Sequence, residues 1–218
     1  MASFFNLTLD TTAPAGLTLK LNNGAAYATS TAVTATIGLT DSVTTGYQMK
    51  IWGVAGAATE AEAAWATFVK SKAITLTTGD GQKTVSIKVR DDVGNETATV
   101  TAKITLDTAV PVVTITGPDK ISKVATFNVS AFSFSANADF EEYKIKVVPS
   151  ESSLENAGTQ IPVTSGSTNT SGTEGGYKAD TAINVTINGA DLEAASSGDG
   201  VKIIKVFVKN AAGTWSVA

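Results

Sequence analysis

Residues 79–97 read Gly-Asp-Gly-Gln-Lys-Thr-Val-Ser-Ile-Lys-Val-Arg-Asp-Asp-Val-Gly-Asn-Glu-Thr. Two turn signals enclose a run in which Val85, Ile87 and Val89 alternate with Ser86, Lys88 and Arg90, the period of a strand with one buried face. The segment recurs. Gly79-Asp80-Gly81-Gln82-Lys83 returns as Gly198-Asp199-Gly200-Val201-Lys202, and Lys88-Val89-Arg90-Asp91 with Gly94 returns as Phe207-Val208-Lys209-Asn210 with Gly213, an offset of 119. Earlier stretches recur at a shorter spacing. Leu7-Thr8-Leu9-Asp10-Thr11-Thr12-Ala13-Pro14 matches Ile104-Thr105-Leu106-Asp107-Thr108-Ala109-Val110-Pro111 at an offset of 97, and Tyr47-Gln48-Met49-Lys50 matches Tyr143-Lys144-Ile145-Lys146 at 96. An internal repeat of this length means two copies of one domain, the second enlarged by about 23 residues.

The enlargement falls between Val148 and Gly198, where residues 164–176 are Ser, Thr, Gly and Asn with a single Glu174, show no apolar periodicity and read as a long exposed loop. The expected organisation is an N-terminal strand or arm at 1–10, one domain at 11–107 and a second at 108–218. Leu17-Thr18-Leu19-Lys20-Leu21 and Val33-Thr34-Ala35-Thr36-Ile37 alternate in the same way, so each copy is expected to be an antiparallel sandwich of about seven strands. The exception is residues 59–70. Thr59 and Glu62 form a capping box, and Ala61, Ala64, Trp65 and Phe68 fall at helical spacing, which predicts one short helix with its apolar face on the first sandwich.

Composition agrees with an all-β chain: 218 residues carry 33 Thr and 19 Gly but only 17% charged side chains. His and Cys are absent, which removes disulfides, thiolate nucleophiles, Cys or His metal sites and imidazole acid–base chemistry. A net charge of −4 with no basic run argues against a nucleic-acid partner. The first residues show no basic n-region or apolar core of signal-peptide length, and no stretch of roughly 18 apolar residues occurs, so neither secretion nor membrane insertion is expected.

The linker Leu-Asp-Thr-Thr-Ala-Pro, the segment 79–97 and the closing Lys-Asn-Ala-Ala-Gly-Thr-Trp-Ser resemble bacterial and phage immunoglobulin-like domains, over nearly the whole chain as two tandem β-sandwiches. The resemblance is to the cysteine-free branch of such domains, which occurs on virion proteins of phage tails and capsids. It implies a non-enzymatic structural virion protein, assembled in the host cytoplasm, with other virion proteins as partners and a homo-oligomeric arrangement in the particle. The alternative is a bacterial surface or adhesin module that binds glycans, host-surface glycans included.

Chemical sites are few. No Ser-x-x-Lys or Gly-x-Ser-x-Gly occurs, and neighbouring carboxylates such as Glu141-Glu142 and Asp91-Asp92 point to opposite faces of a strand, so no catalytic residue and no enzyme activity is expected. No cofactor is expected; calcium is the competing possibility, because Asp10, Asp91, Asp92, Asn95 and Asp107 lie near domain ends. Tyr27, Trp52, Tyr177 and Trp215 are the aromatic candidates for stacking on sugars.

The copies differ at one edge. After its turn, the first continues into a closing strand, Thr97 onward to Leu106, whereas the second reaches Trp215-Ser216-Val217-Ala218 without most of that strand. Residues before the first copy, with Phe4, Phe5, Leu7 and Leu9, align with the end of the strand the second copy lacks. An unpaired edge is a template for strand addition. Residues 2–9 are therefore candidates to dock on another polypeptide, either the second domain of the next subunit or another virion component; the other reading packs them on their own first domain and takes the shorter second domain as complete.

Overall fold

The computed structural model describes residues 5–118, 129–163, 170–172 and 175–217. The chain is all-β apart from short helical turns and divides into two compact units, Met1–Thr108 and Ala109–Ala218.

In unit 1, β1 (Thr18–Leu21), β2 (Tyr27–Ala28), β3 (Ala32–Gly38), β4 (Gln48–Trp52), β5 (Ala66–Thr67), β6 (Ser71–Thr75), β7 (Gly81–Arg90) and β8 (Val100–Leu106) form two sheets. One has the order β1-β3-β6 and the other β2-β8-β7-β4-β5. All pairings are antiparallel except β2 with β8. Leu19, Leu21, Val33, Ala35, Ile37 and Ile74 from the first sheet meet Met49, Val85, Ile87, Val89, Ile104 and Leu106 from the second in one core. The period-two alternation thus does what it predicts: alternate residues enter the core and the intervening Thr, Ser and Lys face out. Three strands facing a sheet whose centre is the penultimate long strand is the immunoglobulin-like sandwich arrangement.

Unit 2 repeats it with β9 (Val113–Thr116), β10 (Val129–Ala136), β11 (Glu142–Val148), β12 (Thr159–Gln160), β13 (Ser171–Gly172), β14 (Ile183–Asn188), α1 (Gly189–Ala195) and β15 (Ile203–Lys209). Here β9-β10-β14 faces a sheet centred on β11, which pairs with β12 and β13 along one edge and with β15 along the other. The core is more aromatic. Phe134 packs on Phe140 and Tyr143 with ring centroids 6.3 and 5.0 Å apart, and Tyr177 stacks on Phe140 at 4.9 Å.

Three expectations need correction. Residues 59–70 form no helix. The Glu62 carboxylate does accept the Thr59 N–H at 2.9 Å, as in a capping box, but only one turn follows. Ala66 and Thr67 then pair with β4, and the Phe68 N–H donates to the Tyr47 carbonyl at 2.9 Å while its ring enters the core. Pairing to a sheet edge outweighs the spacing of a short apolar stripe, because an isolated helix of this length is marginal. The α-helix lies instead in unit 2, where the Asn188 side chain caps α1 through the Ala190 N–H at 2.9 Å.

Second, residues 164–176 are not wholly an exposed loop. Residues 164–169 and 173–174 lie outside the described residues, but Thr170 is fully buried and Ser171 and Gly172 pair with Lys144 and Tyr143. A Cβ on Gly172 would stand 2.3 Å from both Tyr143 Cε1 and the Tyr177 hydroxyl, so only glycine fits beneath those rings. Gly172→Ala is expected to lower the stability of unit 2 by about 1–3 kcal/mol, read as a shift in urea midpoint.

Third, the repeat runs in a different register around Tyr143. Met49 lies opposite Val89 and Tyr143 opposite Val208, so Tyr143 occupies the place of Met49 rather than of Tyr47. A period-two pattern slides by two residues without changing face, and only the partner strand fixes the register.

Candidate assembly interface

The clearest duplicated element is the strand and turn at 79–97 and 198–216. Gly79 and Gly81 adopt φ of 82° and 118°, and Gly198 and Gly200 adopt 83° and 127°. Lys83 Nζ donates to the Thr78 carbonyl at 3.0 Å and Lys202 Nζ to the Ser197 carbonyl at 3.1 Å. At the far end, Val89 exchanges hydrogen bonds with Thr97, through its Oγ1 and its N–H, as Val208 does with Ser216. The turn between is held by a buried side chain. Asp91 Oδ1 accepts the N–H groups of Val93, Gly94 and Asn95 at 2.7–3.0 Å, and Asn210 Oδ1 accepts that of Thr214 at 2.8 Å. Burial pushes the Asp91 carboxyl upward, but the hydrogen bonds from the Asn95 side chain and from the three N–H groups outweigh it and hold the group below its ordinary value.

Beyond this turn the units part. In unit 1, β8 covers the outer edge of β7 from Gly81 to Ile87 and buries Ile104 and Leu106 to 1% exposure. Among the described residues of unit 2, no strand lies along the corresponding edge of β15. The effect on the chain is direct. β7 begins at Gly81, whereas β15 begins at Ile203, three residues later in the repeat, because Gly200, Val201 and Lys202 have no strand beside them. Val201 is 96% exposed, and Ile204 is only half-buried where its counterpart Val85 is fully buried.

The ladder with β11 fixes the backbone polarity of that edge. The Ile145 N–H donates to the Thr170 carbonyl at 2.9 Å and its carbonyl accepts from the Ile161 N–H at 3.1 Å, so both groups point away from β15. In an antiparallel ladder such groups alternate, which aims the N–H and C=O of Ile204 and Val206 at the open edge. Val208, two residues on, agrees: its N–H and C=O are those that bond Ser216.

Phe5, Leu7 and Leu9 are 82%, 84% and 86% exposed, while Phe4 lies outside the described residues. The segment is anchored where it joins unit 1: the Asn95 amide donates to the Asp10 carbonyl at 3.3 Å. The described residues thus show an apolar segment and a bare sheet edge, each exposed.

The other candidates are accounted for locally. Asp91 spends its oxygens on the turn, Oδ2 accepting the Asn95 amide at 2.8 Å, and no group of three or more acidic side chains able to hold a metal occurs among the described residues. Glu141 is exposed, whereas Glu142 pairs with Lys209 and Lys144. Tyr177 presents one face to Phe140 and lies edge-on to Tyr143, and Trp215 lies against Lys144 and Lys209 at 4.6 and 5.2 Å. Trp65 lies in the same way against Arg90 and Lys50, at 4.4 and 5.1 Å. Tyr27 is 40% exposed in β2 and Trp52 half-buried in β4. No helix among the described residues is long and apolar enough to cross a membrane.

No family model matches the sequence, and no curated protein matches it. Among solved structures, fibronectin(III)-like modules of Clostridium thermocellum CbhA are similar over 92% of this chain and 90% of theirs, with a TM-score of 0.47 and 10% identity. Chitinase ChiA74 from Bacillus thuringiensis is similar over 92% of this chain and 30% of that one, with a TM-score of 0.31 and 14% identity. Dimeric latent PorU from Porphyromonas gingivalis gives 97% and 20%, a TM-score of 0.30 and 13% identity. This chain therefore spans less than a third of the length of the last two.

Proposed function

We propose that this chain is a non-catalytic structural protein of a bacteriophage particle, carried on the tail or the capsid and held there by protein contacts. The observation that carries the reading is the exposed apolar segment with Phe5, Leu7 and Leu9 ahead of the first sandwich, a segment suited to binding another protein. The resemblance of the linker and of residues 79–97 to immunoglobulin-like domains of phage virions supports the choice of particle. Its work is geometric. The sandwiches act as stiff spacers that present their outer faces, and individually weak contacts add up over many copies.

The reading is tested by purifying phage particles from the source culture on a density gradient and probing the fractions with an antibody to the chain. It is expected to co-sediment with DNA-filled particles at a fixed ratio to the major capsid protein. Recovery only in the cell envelope, or only as free protein, overturns the proposal.

A further inference from the structure

The outer face of the sheet β2-β8-β7-β4-β5 carries two cations that no carboxylate of unit 1 balances. Lys50 in β4 and Arg90 in β7 are diagonal neighbours, since Gln48 lies opposite Arg90 and Lys50 opposite Lys88. Both lie against Trp65, the ammonium 5.1 Å and the guanidinium 4.4 Å from the ring centre. Arg90 Nε and Nη2 donate to Gln48 Oε1, a neutral acceptor, at 2.8 and 2.5 Å. The neighbouring carboxylates are engaged by a third cation: Glu60 and Glu96 approach Lys88 at 2.9 and 3.6 Å. Neither Lys50 nor Arg90 forms an ion pair among the described residues.

Unit 2 has the same arrangement with its charges balanced. Because Met49 lies opposite Val89 and Tyr143 opposite Val208, the counterparts of Gln48, Lys50 and Arg90 are Glu142, Lys144 and Lys209. Trp215 lies against both lysines. Where unit 1 has the Gln48 amide, unit 2 has the Glu142 carboxylate, which pairs with Lys209 and lies 3.9 Å from Lys144; Glu155 pairs with Lys144 as well. One copy of the arrangement thus carries its own anion and the other does not.

We propose that Lys50 and Arg90, backed by the Trp65 ring, receive a glutamate or aspartate side chain from an acidic segment of another protein, which takes the part that Glu142 plays in unit 2. The group seen in the equivalent place is a carboxylate on a flexible side chain, and this sets the class of ligand. An acidic sugar would need a free ring face to stack on, whereas Trp65 is half-buried with a guanidinium already over it. Lys50, Gln48 and Arg90 are half-buried too, so an incoming carboxylate meets the two cations at a lower effective dielectric than in open water. Gln48 and the indole fix the guanidinium plane in advance without neutralising it, and a planar fork held in this way suits a carboxylate. The site is separate from the segment at 5–9, and its tests read binding in solution, so its failure and that of the particle assignment are distinguishable.

The probe is an end-blocked peptide of three glutamates between glycines, titrated at low salt into the full chain labelled for nuclear magnetic resonance. Saturable shifts are expected at the Trp65 indole N–H and at the amides of β4 and of Lys88 to Arg90, with the Trp215 indole unmoved. Lys50→Gln with Arg90→Gln should weaken binding at least about tenfold. Lys20→Gln with Lys72→Gln, which removes the same charge from the sheet β1-β3-β6, should change it less than about twofold. Gln48→Glu is the sharper variant, because it writes the anion of unit 2 into unit 1: binding should again fall at least about tenfold, with the melting temperature held or raised.

Shifts that persist in Gln48→Glu or in the variant lacking both cations, that weaken equally with Lys20 and Lys72 removed, or that are absent from the wild type overturn the proposal. So does saturation by trigalacturonate where the glutamate peptide gives none, which would make the ligand an acidic sugar. Should Gln48→Glu lower the melting temperature, the loss of binding on removing Lys50 and Arg90 decides alone.

Discussion

Phe134→Ala is expected to destabilise unit 2 by about 3–5 kcal/mol, the largest effect of any single truncation considered for this chain. Phe134 sits in β10 at 1% exposure, with Phe140 and Tyr143 against its ring. Removing it deletes a large apolar surface and leaves a void walled by rings that cannot collapse into it without breaking their own contacts. Tyr177 would lose order with Phe140, on which it stacks, and the fit of Gly172 beneath Tyr177 would loosen in turn. Urea unfolding followed at tyrosine or by circular dichroism should show a lower midpoint, whereas Phe134→Leu should recover more than half of the loss. A loss under about 1 kcal/mol would mean that the aromatic cluster does not hold the two sheets together.

Asp91→Ala carries the second large effect, about 2–3 kcal/mol in unit 1, because it strips the acceptor from three N–H groups that the turn at 91–96 directs at one oxygen. The pH dependence has a definite sign. The folded carboxyl titrates below its ordinary value, so its contribution is complete above the ordinary carboxylate range and is lost as pH falls through the depressed folded value. Unit 2 supplies the control within the same chain. It builds the turn with Asn210 and Thr214, and Asn210 has no charge to lose. Asp91→Asn with Asn95→Thr, which copies that solution into unit 1, should recover most of the stability lost by Asp91→Ala and make the turn's contribution flat across the acid range. Thermal melts at a series of pH values between neutral and strongly acidic would check both statements.

Much of this was legible because strand period and turn chemistry are written in adjacent residues. Val85, Ile87 and Val89 alternate, Gly79 and Gly81 punctuate, and the structure has a strand between. The misreadings share one cause: the deciding partner is remote in sequence. Ala61, Ala64, Trp65 and Phe68 suit a helical face, yet Gln48, Met49 and Arg90, none of them nearby in the chain, draw the segment onto the sheet edge. Thr170 looks like any threonine of a polar tract, and only Gln160 and Ile161, which hydrogen-bond it, make it a core residue. The Asn188 cap before an alanine-rich stretch was a local signal that would have revealed α1. The direction of the N–H groups along β15 required the ladder itself.

The two tryptophan lids have a historical consequence. Lys50 and Arg90 in unit 1 occupy the places of Lys144 and Lys209 in unit 2, and an indole lies against each pair. The indoles are not counterparts: Trp65 arrives ahead of β5, while Trp215 belongs to the turn after β15, where unit 1 has Glu96. Copying one domain into the other accounts for the shared cations and not for the shared lids. Different stretches of chain thus meet the same local demand, an indole against a pair of cations. An ancestral single domain reconstructed from the two halves should be allowed either ring at that spot, and aligning the halves by their tryptophans would misplace everything between.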